Sequence, residues 1–133
     1  MFVDASAIVA ILTREREADA FAEAIEASGT ALTSPIAVFE AALGLSRTRH
    51  VSIEEATADV EEFLRIAGVH CVPISVEDGR TALVAFARYG KGRGHPARLN
   101  LGDCFAYAMA RNRAVPLLFK GNDFSNTDIE AAA

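Results

Sequence analysis

The sequence has only two cysteines, and neither a Cys-x-x-Cys pair nor a Cys/His spacing suggests a zinc site. Cys71 and Cys104 stand in apolar surroundings, which predicts two free, buried thiols in a cytoplasmic protein. His50, His70 and His95 show no ligand spacing either. No apolar run reaches the roughly 18 to 20 residues needed to cross a bilayer, so no membrane span is expected. No basic stretch followed by a cleavage site opens the sequence, so no signal peptide is predicted. Internal repeats, low-complexity tracts and linkers are missing as well, and the 133 residues are expected to form one domain, 1–133. Half of the sequence, 51%, is apolar, which is enough for a real core.

Positive charge is scarce in total and concentrated in place. The net charge of −5 argues against a polyanionic partner, but its distribution does not. Residues 1–78 hold five basic and fourteen acidic residues. Residues 79–122 hold eight basic residues against Asp103 alone. The local field of such a segment matters more to a polyanion than the sum. A solvated, partner-facing patch would look the same.

The stretch that organises the rest is Met1-Phe2-Val3-Asp4-Ala5-Ser6. Met1–Asp4 reads as a short buried strand, and Ser6 as the cap of a short apolar helix. Asp4 then stands at the carboxyl end of a strand, where open α/β sheets place ligands. Alone, the same aspartate could simply cap the helix. Arg14–Ala27 reads as an amphipathic helix, Thr30–Thr33 as a strand, and Ser34-Pro35 as a strong helix start. The helix that follows, Ile36–Arg47, is apolar except for Glu40. Since an ionised carboxylate is costly to bury unpaired, Glu40 either faces water or points into a cleft that awaits a cation.

Ser52–Ala67 starts with a capping-box pattern and reads as an acidic amphipathic helix that Gly68 stops. Val69–Ile74 is a strand candidate near a sheet edge, because Pro73 interrupts it. Ser75 caps Val76–Tyr89, whose core face is expected at Leu83, Phe86 and Ala87. Gly90–Arg98, with three glycines and the basic residues Lys91, Arg93 and Arg98, predicts a flexible loop. It lacks the Lys-Ser/Thr of a phosphate-cradling loop. Contact with a phosphate backbone and no special role are equally compatible with it. Asn100-Leu101-Gly102-Asp103 opens a helix over Cys104–Arg113, and Asp103 lies in its first turn, where the helix dipole favours an anion. Ala114–Phe119 is an apolar strand that runs into Lys120-Gly121-Asn122-Asp123, and Ile129–Ala133 is a tail with a possible last strand. Helices alternating with short apolar strands argue a three-layer α/β domain with a mostly parallel sheet.

Four carboxylates thus stand out by position: Asp4, Glu40, Asp103 and Asp123. Right-handed crossovers bring strand ends and helix starts to one edge of a parallel sheet. Converging carboxylates resist ionisation unless a cation sits among them. Oxygen ligands without Cys or His point to Mg²⁺ or Mn²⁺, and Ser6 and Asn100 could add hydroxyl or amide contacts. Acidic ligands beside a basic loop fit phosphodiester hydrolysis.

The sequence resembles the PIN-domain ribonucleases, and within them the VapC-type toxins of toxin–antitoxin pairs. Phe2-Val3-Asp4-Ala5-Ser6, Glu40 in its helix, Leu101-Gly102-Asp103-Cys104-Phe105-Ala106-Tyr107-Ala108 and Leu118-Phe119-Lys120-Gly121-Asn122-Asp123-Phe124 with Thr127-Asp128 carry the resemblance, over essentially the whole chain. It implies a PIN-like fold and a metal-dependent endoribonuclease whose Mg²⁺ or Mn²⁺ is held by Asp4, Glu40, Asp103 and Asp123. It also implies Ser6 as a supporting residue, Asp128 as a second late acid acting through water, a homodimer, an RNA substrate and inhibition by a VapB-type antitoxin. Exposed apolar positions on the Arg14–Ala27 and Glu54–Ala67 helices are candidate partner surfaces. Two rivals remain. A catalytically silent PIN-like module binding RNA or a protein would have lost a core acid, and none is lost. A Mg²⁺-dependent phosphatase of the haloacid-dehalogenase type wants an aspartate at position 6, where serine stands.

Overall fold

A computed structural model describes residues 1–133. Its elements run β1 (Phe2–Val3), α1 (Ala5–Leu12), α2 (Ala18–Ala27), β2 (Ala31–Thr33), α3 (Pro35–Arg49), α4 (Ile53–Ala67), β3 (Val69–Cys71), α5 (Val76–Tyr89), α6 (Leu101–Asn112) and β4 (Leu117–Leu118), then a 3₁₀ turn over Phe124–Asn126. The strands form one sheet in the order β3-β2-β1-β4, and every pairing is parallel. Helices flank it, so the expected α/β layering is present. No helix is long and apolar enough to cross a membrane.

The order of the strands decides where a ligand can go. The chain steps outward from β1 to β2 to β3, then returns to lay β4 on the other side of β1. Phe2 pairs with Leu32 on one side and with Leu117 on the other. The connections therefore leave β1 and β4 in opposite directions and open a crevice at their carboxyl ends. Asp4 follows β1 directly, and the segment Lys120–Asp123 follows β4. Phe2, Val3, Leu117 and Leu118 are fully buried, and each such side chain contributes about 1.5–3 kcal/mol of transfer free energy. The site is thus hung on the most deeply packed strands. The return of the tail is real but minimal: Ala131 makes a single parallel bridge to Leu117.

Several local expectations need correction. Asp4, not Ser6, is the N-cap of α1, and its side chain accepts from the Ser6 amide. The second helix begins at Ala18 rather than Arg14, because Arg14 turns left-handed at φ 55° and the chain bends before it winds. Only the serine half of the Ser52 capping box forms, with Ser52 accepting from the Glu55 amide. β3 ends at Cys71, ahead of Pro73, and lies at the sheet edge as expected. Cys104 is buried, whereas Cys71 is exposed. The core face of α5 is Asp78, Ala82, Ala85 and Tyr89. Leu83 is instead 71% exposed, and Phe86 and Ala87 also face outward. The basic loop is tied at its base. The Lys91 amide donates to Leu99 O, the Leu99 amide donates to Tyr89 O, and Ala97 is buried.

Candidate active site

The four carboxylates come from four parts of the chain: Asp4 after β1, Glu40 on α3, Asp103 in the first turn of α6 and Asp123 after β4. Asp4 is placed by β1, and its backbone amide donates to Leu118 O at 3.0 Å, which locks it to the neighbouring strand. Its Oδ2 accepts from the Ser6 amide at 3.1 Å and from Ser6 Oγ at 2.6 Å. Ser6 Oγ in turn accepts from the Lys120 amide at 3.0 Å, so one hydroxyl joins the ends of β1 and β4. Asp103 is the third residue of α6 and belongs to a reciprocal capping box. The Asp103 amide donates to Asn100 Oδ1 at 2.9 Å, and the Asn100 amide donates to Asp103 Oδ2 at 3.2 Å. Asn100 therefore orients Asp103, and its carbonyl oxygen is used in doing so.

Glu40 lies on α3, which Ser34 caps and Pro35 starts, as the dipeptide predicts. Its carboxylate rests on the bare Cα of Gly102, where a Cβ would come within 2.1 Å of Oε2. The glycine in the first turn of α6 thus makes room for a carboxylate from another helix. Asp123 is exposed and precedes the 3₁₀ turn at Phe124, whose ring is buried against Phe119.

These groups feel one another. Burial raises the Asp4 carboxyl above its usual range; the Ser6 and Ala5 hydrogen bonds oppose this, and Asp123 adds to it. Burial, then Asp4 and Asp103, pushes Glu40 up to about 7. Burial also raises Asp103 to about 6; the Asn100 hydrogen bond opposes it, and Asp4 and Asp123 reinforce it. No Lys or Arg forms an ion pair with any of the four. Lys120, the nearest cation in sequence to Asp123, is held by Glu15 and Glu17 at 2.8 and 3.4 Å. The four are not drawn into a ready ligand cage. Their donor set is nevertheless oxygen-only, dense in negative charge and uncompensated by the protein, which fits a hard divalent cation.

Two openings meet at Glu40. One, of about 410 Å³, is bordered by Ser6, Glu40, Arg47, Thr48, Lys120 and Gly121. The other, of about 500 Å³, is bordered by Pro35, Phe39, Glu40, Asn100 and Leu101. A larger groove of about 550 Å³, lined by Val76, Leu83, Phe86, Leu101 and Phe105, touches none of the four acids. Lys91, Arg93 and Arg98 are exposed, without ion pairs, on the loop that runs directly into Asn100. Asp128, the second late acid, accepts from Tyr107 Oη at 2.5 Å and pairs with Arg111 at 2.8 Å and Arg88 at 3.5 Å. The sequence reading also missed Gly102, whose only signal is a glycine in the turn that carries Asp103. It missed the Lys120 clamp too, which pairs residues about a hundred positions apart.

The PIN domain family model matches residues 1–130. The chain belongs to the PIN-domain family. Its similarity is to the VapC ribonucleases within it. A VapC ribonuclease of Rhizobium meliloti is 43% identical, covering 96% of this chain and 98% of its own length. Ribonuclease VapC28 of Mycobacterium tuberculosis is 39% identical, covering 99% of this chain and 97% of its own. Among solved structures, VapC20 of Mycobacterium tuberculosis, described as a Sarcin-Ricin loop cleaving toxin, superposes with a TM-score of 0.74 at 15% identity. It covers 96% of this chain and 95% of its own. A toxin–antitoxin complex from Klebsiella pneumoniae gives a TM-score of 0.66 at 20% identity, covering 96% and 92%. At those identities both speak for the fold. The expected PIN fold and VapC-type ribonuclease character are borne out, and the phosphatase reading falls with them.

Proposed function

We propose that residues 1–133 act as a single PIN domain, a toxin endoribonuclease that holds Mg²⁺ or Mn²⁺ on Asp4, Glu40, Asp103 and Asp123. The observation that carries this reading is a set of carboxylates from four elements, three of them raised above their usual range, with no protein cation among them. When bound, the ion lowers the pKa of water and offsets charge on the scissile phosphate. The chain supplies the rest. Ser6 fixes Asp4 in one rotamer, Asn100 fixes Asp103, and Gly102 keeps the Glu40 carboxylate against the start of α6. Lys91, Arg93 and Arg98 take backbone phosphates of the RNA beside that site. No histidine is needed as a base.

The apolar belt of Phe39, Leu83, Phe86 and Leu101 is the surface for a second copy of the chain. The groove between α2 and α4, lined by Ala22, Ile25, Phe63 and Ile66, suits an apolar helix of a VapB-type antitoxin. An enzyme that meets RNA and such a partner works in the cytoplasm. The deciding experiment is cleavage of a labelled structured RNA by protein freed of any partner, in Mn²⁺, Mg²⁺ or EDTA. Cutting that requires metal and disappears in Asp4→Asn supports the proposal. Equal cutting by Asp4→Asn overturns it.

A further inference from the structure

Asp128 has a place that its acidic character did not suggest. The chain leaves β4 at Leu118 and returns to the same strand, where the Leu117 amide donates to Glu130 O and the Ala132 amide donates to Leu117 O, both at 2.9 Å. Between these points runs an excursion that carries Asp123. Its outgoing leg is held by the Lys120 amide on Ser6 Oγ, and its middle by the buried ring of Phe124. Its returning leg is held by Asp128.

Two hydrogen-bond donors and a further guanidinium converge on that carboxylate. Tyr107 Oη donates to Oδ1 at 2.5 Å and Arg111 to Oδ2 at 2.8 Å, with Arg88 of α5 at 3.5 Å. Arg111 also donates to Tyr107 Oη at 3.3 Å. Exposed ion pairs alone would stabilise little. Tyr107, however, is 4% exposed, and a buried hydroxyl needs its partner. The position of Tyr107 gives the contact its meaning. It lies four residues after Asp103 on α6, one helical turn away on the same face. Asp128 lies five residues after Asp123 on the excursion. The hydrogen bond therefore ties the element carrying one site carboxylate to the segment carrying another.

We propose that the Tyr107–Asp128 contact is a brace that sets Asp123 against Asp103, making Tyr107 and Asp128 positioning residues of the site. This rests on the carboxylate site proposed above. The brace acts on how tightly a cation is held, as outer partners of metal ligands do, where loss typically weakens affinity by about 10–100-fold. Asp128 itself need not approach the ion.

The test is Mn²⁺ affinity, read from the loss of free-ion resonance signal, in full-length protein carrying Tyr107→Phe or Asp128→Asn. The same substitutions are also made in an Asp123→Asn background. Tyr107→Phe removes the hydroxyl at constant charge and keeps the ring, so it remains informative if Asp128→Asn, which frees two arginines, folds poorly. The expected result is a weakening of roughly tenfold in each single variant. That loss disappears when Asp123 is already gone. Cleavage should fall at limiting Mn²⁺ and recover at saturating Mn²⁺, with the KM for RNA unchanged. Affinity within about twofold of the parent in Tyr107→Phe overturns the brace, as does a loss undiminished by Asp123→Asn. A parent protein that binds no Mn²⁺ overturns the site itself, a failure visible before any variant is made.

Discussion

Asp4 and Asp78 are the same residue type, both buried, both hydrogen-bonded at a helix start, and held in opposite ways. Asp78 is 1% exposed in the first turn of α5. Burial alone would raise its carboxyl, but the Arg113 guanidinium grips both oxygens at 3.0 and 3.1 Å, with the Ser75 amide and Asn112 completing the shell. It is held far below the usual carboxylate range. Asp4 takes two hydrogen bonds on Oδ2, both from Ser6, and no guanidinium or ammonium. Its pKa goes up. A buried carboxylate with its cation built in ties α5 to α6. One without it resists ionisation and, on the proposed reading, would be balanced by a bound cation.

Breaking the compensated side should have the largest effect. Asp78→Ala strands Arg113 beside a half-buried cavity, and loss of one partner of a buried pair costs about 3–5 kcal/mol. Thermal or urea unfolding should show that loss, while molecules still folded keep their metal affinity. Breaking the uncompensated side should do the reverse. Asp4→Asn should lower RNA cleavage by more than about 100-fold, beyond the loss of an outer partner. The metal-free fold should melt no lower than the parent, because a repelled charge is removed. A lower melting temperature in EDTA would count against that account.

Gly102→Ala sharpens the comparison without touching a charge. Its Cβ would collide with the Glu40 carboxylate, so Mn²⁺ affinity should fall by roughly tenfold with little change in melting temperature. Charge reversal at Lys91 and Arg93 should leave the metal alone and flatten the salt dependence of RNA binding, with a slope lower by about 2 at most. The smallest effect concerns pH. Glu40 and Asp103, raised to about 7 and about 6, bind protons more tightly in the folded state than in the unfolded one. Their contribution in EDTA is therefore greatest below the ordinary carboxylate range and is lost as pH rises through 7. Asp78 has the opposite sign: its contribution is present above the ordinary range and lost in acid. In EDTA the melting temperature should fall by a few degrees between about pH 5 and 7.5, and saturating Mn²⁺ should remove the fall.

What could be read from the sequence follows from what is local. Ser34-Pro35, Gly68, Ser75 and the Asn100/Asp103 pair define helix ends through contacts within four residues, and they stand where expected. Asp4 and Glu40 stand out because each breaks an apolar run, and Asp103 because it lies in the first turn of a helix. The face of α5 was misread because periodicity records an apolar stripe without saying what it packs against. Leu83 and Phe86 form such a stripe on the outside, while small alanines make the inner one. Arg14 misled because a left-handed residue inside a helical pattern leaves no mark in side-chain type. Asp78 and Asp128 could not be sorted from the other acids, since their partners, Arg113 and Tyr107, lie 35 and 21 residues away.

The pairing of β1 with β4 has one further consequence, in the order of synthesis. Ser6 and Lys120, joined by a single hydroxyl, are 114 residues apart. Asp4 is made almost at once and waits through nearly all of translation for the strand beside it and for Asp123. A contact of such sequence separation also closes late and slowly once the chain is free. On the proposed site, a protein that attacks RNA would be complete only once nearly all of it had been read from one.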